Sequence, residues 1–348
     1  RFDGSPGILS GLSWGEQETF RGLIAFPGVL LVPKRFDMAR AFLEGVARQW
    51  REAGSPARFA PECARGQMHP LDVPLWVFVA AWRYGRAVGR DAFMRDTFVN
   101  VMKEIASCYE ESVEIRNTGD RLLEVGHEPG ANYEPLLPLG TNVLWYNAQM
   151  MLAEILDADD KALAARWRQG GEETFRNLRA LFACESRAGL ADSVYGQPVL
   201  RREGLHVSQV LALGLPFCAV PDPEATARLV QDRLGTPYGP RTLSPIEPGY
   251  VGDGTDVCVL PKEWLGSVDP MWFGYYIDGL KRGGLRPSFD TLFLPFAEEL
   301  DRRGLGHISG AFCGDPPHRP CDYVASAGAA GEVLRIYARE RLHLAHVT

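Results

Sequence analysis

Residues 142–182 read NVLWYNAQMMLAEILDADDKALAARWRQGGEETFRNLRALF. Apolar side chains recur at helical spacing through residues 142–156 and again through 160–182, and the three residues Asp157 to Asp159 leave room only for a tight turn. The stretch therefore reads as an αα-hairpin, two antiparallel helices joined by a short loop.

Working outward, the same unit recurs. Helical patterns cover residues 36–53, 91–112, 223–234, 287–303 and 325–341. Residues 75–88 are almost wholly apolar and aromatic, which suits a buried inner helix, and residues 208–219 and 270–283 read as shorter buried helices. A first helix, residues 16–32, carries Pro27, which predicts a kink. The strand signals are confined to residues 113–116 and 122–125, a hairpin across Asn-Thr-Gly-Asp.

The connectors alternate. Short ones (33–34, 89–90, 157–159, 220–222, 283–286) are interleaved with long ones rich in Gly and Pro (54–70, 113–141, 185–207, 235–269, 305–323). Loops longer than about 12–15 residues are unusual in compact domains and are usually functional. Strict alternation puts every long loop on one face, so the expected fold is all-α: an (α/α)6 barrel, a closed toroid of six hairpins, spanning residues 1–348 as one domain with an elaborated mouth. No exact sequence repeat marks the units.

Composition is that of a globular protein, 46% hydrophobic and 23% charged, with a formal net charge of -7 and no Lys/Arg run. Nucleic acid and anionic membrane are thereby disfavoured as partners, and no stretch has the ~20 apolar residues of a membrane span. The first residues lack the basic and apolar regions of a signal peptide. Seven scattered cysteines point to a reducing compartment, hence to the cytoplasm. Neither a Gly-x-Ser-x-Gly elbow nor a phosphate-binding glycine loop is present, and no cofactor is expected. His307, Cys313, His318 and Cys321 are loosely spaced like metal ligands, but without a Cys-x-x-Cys pair no metal is expected.

Several segments then carry a resemblance. Residues 24–31 (IAFPGVLL), 71–76 (LDVPLW), 142–147 (NVLWYN), 241–245 (RTLSP), 314–320 (GDPPHRP) and 332–335 (EVLR) together resemble the amylo-α-1,6-glucosidase domain of glycogen debranching enzymes along nearly the whole chain. The resemblance implies an (α/α)6 barrel and an inverting glycosidase ancestor. Such chemistry uses two carboxyl groups, one protonating the leaving oxygen and one activating water.

The departures fall at the chemistry. Arg21 stands where the family's first helix carries Asp. After Gly126-His127-Glu128-Pro129-Gly130 the Trp-Met-Asp of the general acid is missing. Gly140 replaces a Glu, Asp269 an aromatic residue, and Ser326 and Gly328 a Gln and a Trp. The Glu that resembles the base is Gly310.

Candidate site residues follow. As catalytic groups we name Glu134, on the loop that should carry the acid, Asp269 and Asp72. Asp72 matches a sugar-hydroxyl acceptor of the family, and both aspartates also read as helix N-caps before Pro. As substrate-binding residues we name Arg241, Trp14, His206, Gln209, Trp145, Trp264 and Glu128. Arg241 could equally anchor a loop, and His206 stands where the family has Arg.

The sequence thus supports three readings: an enzyme repurposed to a small polar or glycoside-like substrate, with ordinary α-1,6-glucosidase activity weak or lost; a glycoside hydrolase with relocated carboxylates; and a glycan-binding relative without catalysis. It leaves the oligomeric state open.

Overall fold

The computed structural model describes residues 6–11, 18–60, 70–89, 91–111, 116–126, 135–196, 198–253, 266–302 and 306–344. In chain order the helices are α1 (Thr19–Phe26), α2 (Phe36–Ala53), the single turn α3 (Pro56–Phe59), α4 (Val73–Val88), α5 (Val99–Glu111) and α6 (Leu139–Leu156). They continue with α7 (Lys161–Leu181), α8 (Ser208–Gly214), α9 (Pro223–Leu234), α10 (Phe273–Arg282), α11 (Phe289–Arg302) and α12 (Ala327–Arg341).

Helix α1 packs on α4, α4 on α6, α6 on α8, α8 on α10, α10 on α12, and α12 back on α1. This is a closed inner ring of an (α/α)6 barrel. Helices α2, α5, α7, α9 and α11 lie outside it, each following an inner helix after a short connector. Burial fits the layers: α4 is buried without interruption from Val73 to Tyr84, whereas α7 buries one stripe (Ala164, Trp167, Gly171, Thr174, Leu178). Helix α11 is held by its rings, with Phe293 and Phe296 edge-on to Phe273 of α10 and Phe293 edge-on to Tyr337 of α12.

The differences from expectation have local causes. Instead of kinking at Pro27, the first helix passes into a π-helical turn, Pro27–Leu31, closed by Val32 N–H donating to Pro27 O at 3.0 Å. The extra residue in the turn accommodates the donor that proline lacks. Helix α8 stops at Gly214 because Leu215 precedes Pro216 and is extended (ψ 156°). Residues 70–72 and 270–272 are 3₁₀ turns leading into α4 and α10.

A hairpin of β1 (Arg116–Asn117) and β2 (Leu123–Glu124) is present, and residues 113–115 of the expected first strand lie outside the described residues. A further antiparallel sheet was not anticipated: β3 (Leu136–Pro138), β4 (Ser193–Tyr195) and β5 (Leu200–Arg202) pair across two long loops. Strands this short show no readable alternation. One more short pair, β6 (Gly235–Thr236) with β7 (Gly239–Pro240), follows α9. Among the described residues no helix is long and apolar enough to cross a membrane.

Two features hold the ring closed. Where α12 meets the end of α1, a Cβ on Gly28 would lie 1.8 Å from Gly331 O, and one on Gly331 would lie 2.7 Å from Ala25 Cα, so backbone packs directly on backbone. Between α10 and α12 sits a buried charge network. Arg335, with no solvent exposure, donates to both oxygens of Glu332 and reaches Asp278 at 3.0 Å. Arg339 pairs with Asp278 and with Glu340. Gly274 lets this network approach: a Cβ there would stand 1.9 Å from Glu332 Oε2. Burial pushes the Asp278 carboxyl up, but Arg335, Arg339 and Arg83 outweigh it and hold its pKa at about 2.

Two outcomes are expected. Gly28→Ala or Gly331→Ala should lower stability by about 1–3 kcal/mol through overpacking. Gly140→Ala, whose Cβ would meet nothing within 4 Å inside α6, should stabilise by up to ~1 kcal/mol; urea unfolding midpoints check both signs. Because the Asp278 pKa is depressed on folding, its stabilisation is complete above the unfolded value of about 3.9 and is lost as pH falls towards 2. Asp278→Asn should flatten stability over that window while lowering it at pH 7, measured by urea unfolding at a series of pH values.

Candidate functional site

The six inner helices begin at one end of the barrel, and the long loops gather there. Thr141 at the start of α6 donates to Asp72 Oδ1 at the start of α4, at 2.5 Å. His206, before α8, bridges to Leu243, Arg241 to Val268, and Val268 to Phe312 on the loop leading to α12. These backbone bridges tie successive mouth loops together around the ring.

The densest polar cluster lies where the starts of α1, α10 and α12 meet. Arg21, in the first turn of α1 and 7% exposed, places Nε 2.8 Å from Glu18 and Nη1 3.6 Å from Asp269 Oδ2. Its guanidinium stands 5.4 Å from the centroid of the Tyr323 ring. Burial opposes the charge on Arg21, but Asp269, Tyr323, Glu18 and Asp322 outweigh it, so the group is held firmly cationic. A cation in the first turn opposes the helix dipole, which is a further reason for carboxylates around it. Burial likewise pushes the Tyr323 phenol above its ordinary range, leaving it protonated.

Asp269 fulfils the cap reading: its Oδ1 accepts from Met271 N–H at 3.0 Å, in a residue only 1% exposed. Below it, Trp272, Phe20, Trp76 and Tyr275 form a continuous aromatic plug, with Trp76 5.9 Å from Trp272 and 5.4 Å from Tyr275. The mouth therefore has a closed floor.

The position that resembles the base is built over. A Cβ on Gly310 would lie 2.8 Å from Asp322 Oδ2 and 2.8 Å from Tyr323 Cε1, while one on Gly11 would lie 2.5 Å from Tyr323 Cδ2. The Tyr323 ring is thus sandwiched between two glycines, and Gly310 N–H donates to Tyr323 O at 2.9 Å. Gly328 is similarly filled, its Cβ position 3.1 Å from Met271 Cβ.

The remaining sequence-derived residues divide. Asp72 makes no side-chain cap bond to α4 and turns to Thr141 instead. Gln209 is fully buried and clamps Leu190, donating to its carbonyl at 2.5 Å and accepting from its N–H at 3.0 Å. Arg241 donates to the carbonyls of Gly314 at 2.8 Å and Gly235 at 3.0 Å, the loop-anchoring role. His206 is half-buried, its ring beside Gly204. Trp145 is 1% exposed, stacked on Tyr109 of α5 and edge-on to Trp167 of α7, in the seam between inner and outer layers.

Glu134, Glu128, Trp14 and Trp264 lie outside the described residues. Among the described residues, no three His, Cys, Asp or Glu side chains converge as a metal site requires. Sequence reasoning missed Asp322 and Tyr323. The available signal was the run of small residues at 309–311, which needed a large neighbour to fill the space.

Comparisons place the chain among known folds. The sequence profile of the amylo-alpha-1,6-glucosidase family matches residues 4–129 and 137–335. The interruption falls just after the segment Gly126-His127-Glu128-Pro129. Among solved structures, a protein described as a wild-type glycosidase superposes with a TM-score of 0.63 at 12% identity, over 97% of this chain and 92% of its own. A bacterial glucoamylase complexed with acarbose gives 0.65 at 13%, over 95% of this chain and 50% of its own. At these identities the likeness is one of fold. No curated protein sequence matches the chain.

The Arg21–Asp269 pair invites a double-mutant cycle. Arg21→Met alone should cost about 3–5 kcal/mol because it strands a buried carboxylate. The combination with Asp269→Asn should be less destabilising than the sum, with a coupling of about 0.5–3 kcal/mol in urea unfolding.

Proposed function

Because the chain belongs to the amylo-alpha-1,6-glucosidase family, we propose that it is a glycosidase-like enzyme repurposed to a small polar or glycoside-like substrate, working by acid/base chemistry at the mouth where the inner helices begin. Ordinary α-1,6-glucosidase activity is weak or lost. One observation carries this reading: the space of the family's base is taken by Tyr323 and Asp322, packed against Gly310, while Arg21 and Asp269 form an ion pair at two other exchanged positions. Two of the exchanged residues, Arg21 and Asp269, contact one another, placing a cation among carboxylates of the kind that marks functional sites.

General acid and general base steps each contribute about 10²–10⁴-fold, so loss of the family's pair removes most of the hydrolytic rate. A glycan or a small glycoside is the substrate class that the family favours.

Offered glycogen limit dextrin, the purified protein should release glucose more slowly than about 10⁻² s⁻¹, against the 1–10³ s⁻¹ typical of enzymes. Gly310→Glu should not restore the rate, because the new side chain meets Tyr323. Glucose release at one turnover per second or faster would overturn the proposal.

A further inference from the structure

On the outside of the barrel, α9 and α11 leave a cleft between them above α10. Its volume is about 630 Å³, within the range of small-molecule sites. The cleft follows α10 from Phe273 to Leu280, a span of about 10 Å at the helical rise. Pro237, Leu292 and Pro295 give it apolar walls.

Two of its polar groups stand without a partner among the described residues. Tyr276 lines the cleft and is 7% exposed, yet its hydroxyl makes no hydrogen bond to any of them. Buried hydroxyls are nearly always satisfied, so an orphaned one that borders a cavity points to a missing ligand. Burial raises the pKa of this phenol, which therefore keeps its proton. The hydroxyl sits beside β6, since a Cβ on Gly235 would lie 2.6 Å from it. Asp290 stands towards the opposite end, where the chain leaves α10 and begins α11. It is exposed, forms no ion pair with a described residue, and is the one charged side chain among the described residues lining the cleft. A carboxylate in a first turn also suits the helix dipole, but the Tyr276 hydroxyl has no such structural role.

We infer that this cleft binds a small amine whose cation meets Asp290, whose apolar body lies along α10 and whose far end hydrogen-bonds the Tyr276 hydroxyl. Charge complementarity sets the sign, because the lining carries one negative group and no positive one. The proline and leucine walls suit an aryl or alkyl body and offer few partners to a ligand made of hydroxyls. The inference goes beyond the proposed function and does not rest on it, since the cleft shares no lining residue with the Arg21–Asp269 cluster at the mouth.

Binding should be measured by isothermal titration calorimetry at low salt, with thermal melting to confirm that each variant is folded. The probes are tyramine, phenethylamine, which lacks the phenol hydroxyl, and 4-(2-hydroxyethyl)phenol, which lacks the charge. Tyramine should saturate the wild type with a Kd below about 1 mM. Phenethylamine should bind about three- to tenfold more weakly, the size of one neutral hydrogen bond. The uncharged phenol should bind about fivefold more weakly, as for the loss of a solvent-exposed ion pair. Tyr276→Phe should abolish the preference for tyramine over phenethylamine and keep that over the uncharged phenol. Asp290→Asn should do the reverse. Three results would overturn the inference: no saturation of the folded wild type by about 10 mM tyramine, equal binding of tyramine and the uncharged phenol, or a preference that survives the variant meant to remove it. The limit-dextrin assay reads the mouth alone, so the two proposals can fail separately.

Discussion

The fold depends on the end of the first helix being brought against the helix that ends the chain's path around the ring. Helices α1 and α12 are more than three hundred residues apart in sequence, yet Gly28 and Gly331 let their backbones touch. Without that contact the inner helices would form an open arc, and the starts of α1, α10 and α12 would not share a mouth. Small residues rather than large apolar ones set the geometry here. The aromatic plug of Trp76, Trp272, Phe20 and Tyr275 then fills the axis that the closed ring creates.

Closing six helix starts on one another concentrates positive helix ends in a small volume, which favours carboxylates and disfavours cations. Asp72, Asp269 and Glu18 follow that rule. Arg21 breaks it, and the structure answers with Glu18, Asp269, Asp322 and the face of Tyr323 around one guanidinium. Deeper along α10 and α12 the same logic governs Arg335, Glu332 and Asp278, where buried charge is tolerated because each carboxylate meets a guanidinium at hydrogen-bond distance. The first cluster lies at the mouth and the second within the wall, so similar electrostatics tie loops to a helix start in one place and fasten two helices in the other.

Much of the site's scaffold was legible in the residues. Alternation of short and long connectors placed the loops on one face. Pro74 and Pro270 marked the starts of α4 and α10, and Asp269 proved to be the cap its position suggested. Gln209 and Arg241, read as substrate-binding residues, hold loop backbone at Leu190, Gly235 and Gly314. A polar side chain on a mouth loop looks the same in sequence whether it faces a ligand or a neighbouring carbonyl. Trp145 illustrates the same limit for apolar groups, since helical periodicity does not say which of two buried faces a ring occupies.

The sequence by itself determined the helices, their pairing into hairpins and the end of the barrel where the long loops gather, because these follow from local periodicity and loop length. It also carried the resemblance to the family, whose profile matches residues 4–129 and 137–335. Only the tertiary structure decided which side chains meet at the mouth. Asp322 and Tyr323 pack against Gly310, and Arg21 is balanced by Asp269. Such partners are set by loops folding back across the mouth, and no period or spacing along the chain encodes which side chains those loops bring into contact.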